Sequence, residues 1–122
     1  MANIETKYKY KMIVVVDNNI KMHKGKLARE VAGAVTLAIM YHFISFKWVS
    51  LIRWYKNGIK TVVLKTYDMD GLIIDLSLYK QFYLTMVDSG ATVFKKPTRT
   101  CIVLPVCKEE NSLIPIKKLK LL

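Results

Sequence analysis

The stretch Ile20–Ala34, IKMHKGKLAREVAGA, concentrates the residues that could do chemistry. Lys24 and Lys26 stand where a helix is expected to begin, and cations there oppose the helix dipole by about 0.3–1 kcal/mol each. Gly25, between them, is the expected N-cap, a role that Ser or Asp fills better. A segment that breaks two local rules at once marks a place kept for function. A strand-to-helix turn that sets ammonium groups beside free backbone N–H groups suits a phosphate or a developing oxyanion. A solvated basic turn has the same composition, so the residues of this segment leave both readings open.

Other residues of reactive type fall into plainer roles. His42 lies late in an apolar helix and reads as a core or interface residue. Cys101 and Cys107, with Pro105 between them, have no histidine at ligand spacing and read as buried thiols. Asp68, Asp70 and Asp75 belong to a helix start, and the acids of a calcium loop are missing at the needed spacing. Trp48 and Trp54 could stack on RNA, but on a short helix they read first as core packing. There is no G-x-G-x-x-G, P-loop or G-x-S-x-G motif. No metal or cofactor is expected.

The chain that must position these residues has 122 amino acids, 20 Lys+Arg against 9 Asp+Glu, and a net charge of +11. That length predicts one domain over residues 1–122. With 52% hydrophobic residues it can build a core, which excludes a disordered basic tail. Two cysteines do not make a secreted disulfide scaffold. Met1–Lys11 is polar and lysine-rich, without the apolar stretch of a secretory leader. The longest uncharged run, Val31–Phe46, falls short of the roughly 18–20 residues that span a bilayer. The expectation is a soluble cytoplasmic protein without a membrane partner. Net charge is +4 over residues 1–30, +2 over 31–90 and +5 over 91–122. If the ends meet in the fold, they form one basic patch of the kind that binds a polyanion.

Lys11–Asp17, KMIVVVD, reads as a strand covered on both faces. From Leu27 the apolar spacing is helical, and beyond its first turn the helix over 27–46 is apolar nearly all round. Such a helix lies between a sheet and something else, and a second subunit is the expected cover. Lys47–Lys56 predicts a second helix ending at Asn57-Gly58, and Lys60–Thr66 a second strand. Asp68 or Asp70 caps a helix expected to run to about Asp88. Ala91–Phe94 and Thr100–Val106 predict two antiparallel strands. Strand–helix–strand order implies a parallel pair with a right-handed crossover. The fold class is therefore α/β: a small mixed sheet of about four strands with helices on both faces.

The segment IKMHKGKLAREVAGA resembles the type 2 peptidyl-tRNA hydrolases, the archaeal and eukaryotic type. Their signature runs Lys-Met-Gly-Lys-Gly-Lys, any residue, Ala-Ala-Gln, then His-Ala. KMIVVVD resembles the first strand of that family, and Trp54–Lys65, WYKNGIKTVVLK, its Trp–Gly–Lys–Val–Val–Lys segment. Arg99-Thr100 is similar to the Arg-Thr of its Asp-Ala-Gly-Arg-Thr loop, and LKLL at Leu119–Leu122 to its C-terminus. The AVTLAI run, Ala34–Ile39, looks archaeal. The resemblance covers most of the chain. It implies a small α/β sandwich, often a homodimer, that uses no metal and hydrolyses the ester joining a peptide to the 3′ ribose of tRNA during translation.

Carried over residue by residue, the resemblance makes Lys26 the essential lysine, which stabilises the oxyanion or orients the water. Thr100 becomes its hydrogen-bond partner. Glu30, one turn after Lys26, stands where the family has glutamine, Gly33 where it has histidine, and His23 where it has glycine. The loop aspartate aligns with Lys96, and the Ala-Pro-Gly-Ser/Thr stretch beyond Arg-Thr is expected to be deleted. That places an acidic role on Glu30, in a cluster Lys26–Glu30–Lys96, with Lys26, Thr100 and Glu30 as the catalytic set. Lys21, Lys24, Lys95, Lys96 and Arg99 are the residues expected to bind tRNA. The homodimer is expected to form through the apolar helix 27–46. The competing expectation is a homologue that binds tRNA or a protein without hydrolysis.

Overall fold

The computed structural model describes residues 10–88, 96–108 and 114–122. In chain order the elements are β1 (Tyr10–Asp17), α1 (Lys24–Ile44), α2 (Trp48–Lys56), β2 (Thr61–Thr66), α3 (Met69–Leu78), β3 (Leu84–Asp88), β4 (Thr98–Lys108), α4 (Ile114–Lys117) and β5 (Lys120–Leu121). Among the described residues the strands form one five-stranded sheet, ordered β3-β4-β1-β2-β5. β1 and β2 are parallel, joined by the two-helix crossover. β4 runs antiparallel to both β1 and β3, and β5 antiparallel to β2. The mixed α/β class read from the sequence is the class observed.

Three of the sequence expectations change. The third helix stops at Leu78 instead of running to about Asp88, because Lys80 turns the chain at φ 56° and Leu84–Asp88 pairs with β4. The strand expected at Ala91–Phe94 lies outside the described residues. The first long helix begins at Lys24, not Leu27, and its cap is His23 rather than Gly25: Nδ1 of His23 accepts the Lys26 N–H at 3.2 Å. An imidazole nitrogen thus does what a Ser or Asp oxygen does at other helix starts. Asp68 caps α3 as expected, accepting the Gly71 N–H at 3.1 Å.

Alternation along the central strands separates two cores. Met12, Val14, Val16, Cys101 and Val103 face α1 and α2 with Ala34, Ala38 and Trp54. Ile13, Val15, Leu64, Ile102 and Leu104 face α3 and α4 with Leu72, Leu76 and Ile116. The buried residues of α1 recur every fourth position: Lys26, Glu30, Ala34, Ala38, His42. The two alanines at the centre let the helix lie close on the sheet, and the polar residues at either end need partners there. With 21 residues α1 has the length and composition to cross a membrane, yet this line packs against the sheet.

β4 carries two register shifts, and both meet that line. Met86 lies opposite Cys101 and Val87 opposite Arg99, so Thr100 is an extra residue. Lys11 lies opposite Cys107 and Ile13 opposite Leu104, so Pro105 and Val106 face Met12 alone. Pro105 has no N–H for a ladder, which accounts for the second bulge. The Val106 N–H there donates to Nε2 of His42 at 3.0 Å.

Candidate active site

Lys26 enters the site from the first turn of α1, Glu30 from the next turn, Asp88 from the end of β3 and Thr100 from β4. All four are buried: Lys26 is 6% exposed, Glu30 1%, Asp88 3% and Thr100 0%. The Lys26 ammonium donates to Oδ2 of Asp88 in a buried ion pair. Oε2 of Glu30 lies 3.7 Å from the same nitrogen. The Thr100 hydroxyl donates to Oε1 of Glu30 at 2.7 Å, and its oxygen lies 3.3 Å from the Met86 carbonyl.

The bulge makes this possible. In a regular strand Thr100 and Cys101 would point to opposite faces. As an extra residue Thr100 turns toward α1, so that it and Cys101 both address Glu30, the Cys101 thiol contacting the Glu30 carbonyl at 3.7 Å. Oε2 of Glu30 accepts no hydrogen bond among the described residues; Lys26 is its near cation and Arg29 lies 4.0 Å away. One ammonium thus answers to two carboxylates in a buried site. Removing a single partner from such a cluster typically costs about 3–5 kcal/mol.

Lys26, Glu30 and Thr100, named from the sequence, come together. Lys96 does not join them: it is exposed, and its carbonyl accepts the Thr98 hydroxyl at 3.0 Å. The acid beside Lys26 is Asp88, which the sequence reading missed by placing it in a helix. The signal was available. Asp88-Ser89-Gly90-Ala91-Thr92 matches the loop Asp-Ala-Gly-Arg-Thr at Asp, Gly and Thr; on that alignment Arg99-Thr100 lies beyond the loop and the expected deletion is not needed. A Lys26–Glu30–Lys96 cluster is therefore replaced by Lys26–Asp88–Glu30–Thr100.

Lys21 and Lys24 are exposed on the turn into α1. Arg99 donates from Nη2 to Oδ1 of Asp70 at 2.6 Å, and Lys95 lies outside the described residues. At Gly33 an added Cβ would sit 2.7 Å from Cε of Met86, so the Met86 side chain holds the space beside that position.

The remaining candidates settle into structural roles. His42 bridges the Lys47 carbonyl, 3.0 Å from Nδ1, and the Val106 N–H. Burial lowers its pKa, the Lys47 carbonyl opposes that, and the Lys47 ammonium adds to it. Burial raises Cys101 to about 11, against the Thr100 hydroxyl and with the Glu30 charge. Burial raises Cys107 to about 11 as well, against the Lys11 charge. Neither is a ready nucleophile. Trp54 is core, its indole N–H on the Lys60 carbonyl at 2.8 Å. Among the described residues no group of three or more His, Cys, Asp or Glu is placed to hold a metal ion.

This arrangement presents a fixed ammonium at a helix N-terminus, an aspartate that orients it, and a hydroxyl oriented by a carboxylate. Those are the parts of an oxyanion-stabilising site. Comparison with known proteins gives it a family. A peptidyl-tRNA hydrolase of Saccharolobus islandicus is 34% identical over 112 residues, covering 87% of this chain and 92% of that protein. One from Thermococcus sibiricus is 32% identical over 114 residues and one from Thermococcus onnurineus 29% over 108, each covering 84% of this chain and 89% of the relative. The family model for peptidyl-tRNA hydrolase PTH2 matches residues 10–122, and the chain belongs to that family.

Proposed function

We propose that the protein hydrolyses peptidyl-tRNA, with Lys26, Asp88, Glu30 and Thr100 as its machinery. The buried Lys26–Asp88 pair is the observation that carries this reading. Water adds to the ester carbonyl carbon, the bond to the ribose 3′ oxygen breaks, and that oxygen leaves as a hydroxyl. Lys26 stabilises the charge that gathers on the carbonyl oxygen. Asp88 holds the ammonium in place, and Glu30 directs the Thr100 hydroxyl. Lys21, Lys24, Lys95, Lys96 and Arg99 supply cations for the tRNA backbone. The reaction belongs to translation, and the cytoplasm is the location proposed for it.

The test is release of labelled peptide from peptidyl-tRNA by the protein and by Lys26→Ala. Turnover that falls by at least about a hundredfold in the variant supports the reading. Binding of the substrate without turnover by the unaltered protein would replace it with the non-catalytic alternative.

The protein acts as a homodimer in this reading. Leu37, Met40, Phe43 and Ile44 of α1 are exposed, at 38%, 51%, 52% and 73%. Contiguous apolar surface of this kind favours a partner, and a second copy is the occupant proposed. Light scattering of Met40→Asp and Phe43→Asp checks it: the unaltered protein should have twice the mass of the double variant.

A further inference from the structure

Tyr67, just past the end of β2, is 65% exposed. It is nevertheless tied down. Asn18 donates from Nδ2 to its hydroxyl oxygen at 2.7 Å, and Asn19 donates from Nδ2 to its carbonyl at 2.5 Å. The asparagines are themselves anchored, the Asn18 N–H on the Thr66 carbonyl at 2.8 Å and the Asn19 N–H on Oδ1 of Asp17 at 3.0 Å. Core packing does not explain an aromatic ring left in water, and a ring left in water does not ordinarily have its far end fixed. Ordering it costs side-chain entropy that no burial offsets.

Its place in the sheet connects it to the site. Val16 lies opposite Cys101 and Asp17 opposite Thr66. Thr100, Asp17 and Thr66 therefore form a row across the edge where β1 and β2 end, and two strand spacings separate Thr100 from Thr66 by about 10 Å. Ligands of open α/β sheets bind along this edge. Lys21, between the two asparagines and α1, and Lys24, at the start of α1, are both exposed. The acids nearby are engaged: Asp17 accepts from Asn19, Asp68 from Gly71, and Asp70 pairs with Arg99.

We infer that Tyr67 is a stacking platform for a base at the single-stranded 3′ end of the tRNA, holding the acceptor strand on the β2 side of the ester. A preordered ring near exposed lysines is the combination by which proteins grip single-stranded nucleic acid, with cations on phosphates and a π-face on a base. The inference rests on the peptidyl-tRNA reading, and it names where the nucleic-acid portion of that substrate lies.

The experiment uses two probes on the full chain. One is blocked aminoacyl-tRNA, for kcat and KM. The other is a short RNA with the tRNA 3′ sequence and 2-aminopurine in place of the terminal base, whose fluorescence is quenched on stacking. Tyr67→Leu should raise KM about tenfold, leave kcat within about twofold and abolish the quenching, a loss within the range of one base–aromatic stack. Tyr67→Phe keeps the ring and should keep both signals. Asn18→Ala, which frees the ring, should fall between them. Unchanged KM and quenching in Tyr67→Leu would overturn the inference. Quenching by the unaltered protein without hydrolysis would leave it standing and remove the esterase reading instead.

Discussion

Glu30 and His42 stand on one buried line of α1, and each engages one of the two bulges of β4: Glu30 takes the Thr100 hydroxyl, His42 the Val106 N–H. The helix therefore reads the irregular positions of its neighbouring strand at both ends, with two alanines between. At one end the bulge re-aims a side chain into the site. At the other it frees a backbone donor that an imidazole satisfies.

Lys26 and Asp88 should be the most sensitive pair. Lys26→Met leaves two buried carboxylates without their near cation, and urea unfolding should show a loss of about 3–5 kcal/mol. Asp88→Asn keeps shape but removes one charge, and its turnover should fall by tenfold or more while Lys96→Ala retains kcat within about twofold. Equal losses in those two variants would restore Lys96 to the site.

Glu30→Gln retains an oxygen that can accept the Thr100 hydroxyl, and Asp88 still holds Lys26. Turnover within about threefold of the unaltered protein is expected. Glu30→Ala leaves Thr100 without that acceptor and should cost more than tenfold. A large loss in Glu30→Gln would show instead that the carboxylate charge itself takes part, a distinction read directly from steady-state kinetics.

His42 makes stability depend on pH. Its folded pKa lies below 6.5, so the unfolded chain binds the extra proton as pH falls through that value. Stability is complete above about pH 6.5–7 and declines below it, with a slope of at most about 1.4 kcal/mol per pH unit from this group. Urea unfolding between pH 5 and 7.5 checks this, and His42→Gln should flatten the slope.

Gly33→His asks Met86 to vacate its place, since even a Cβ there would meet Cε of Met86 at 2.7 Å. An overpacking cost of about 1–3 kcal/mol is expected. Combined with Met86→Ala, the same substitution should cost clearly less than the two separate effects added together. Thermal or urea unfolding of the double-mutant cycle measures that coupling.

The sequence by itself determined the α/β class, the parallel β1–β2 pair with its crossover and the family resemblance, and it offered Lys26, Glu30 and Thr100 as candidate site residues. The elements follow from local pattern, since β-branched runs make strands and apolar spacing makes helices, and Lys26 and Glu30 neighbour one another at i,i+4; the roles of Lys26, Glu30 and Thr100 are what the family resemblance implies. Of the four expected strands β1, β2 and β4 are observed and the fourth lies outside the described residues, while β3 and the two-residue β5, too short to carry a pattern, bring the described strands to five. Tertiary structure decided the rest. Asp88 became the partner of Lys26 only when Leu84–Asp88 paired with β4, a contact between distant segments that helical propensity after Asp68 had obscured. Thr100 reached Glu30 only through a bulge, because alternation alone sends consecutive residues to opposite faces. Register between strands is fixed by pairing across the sheet, and one extra residue in that pairing selects which side chains meet the helix.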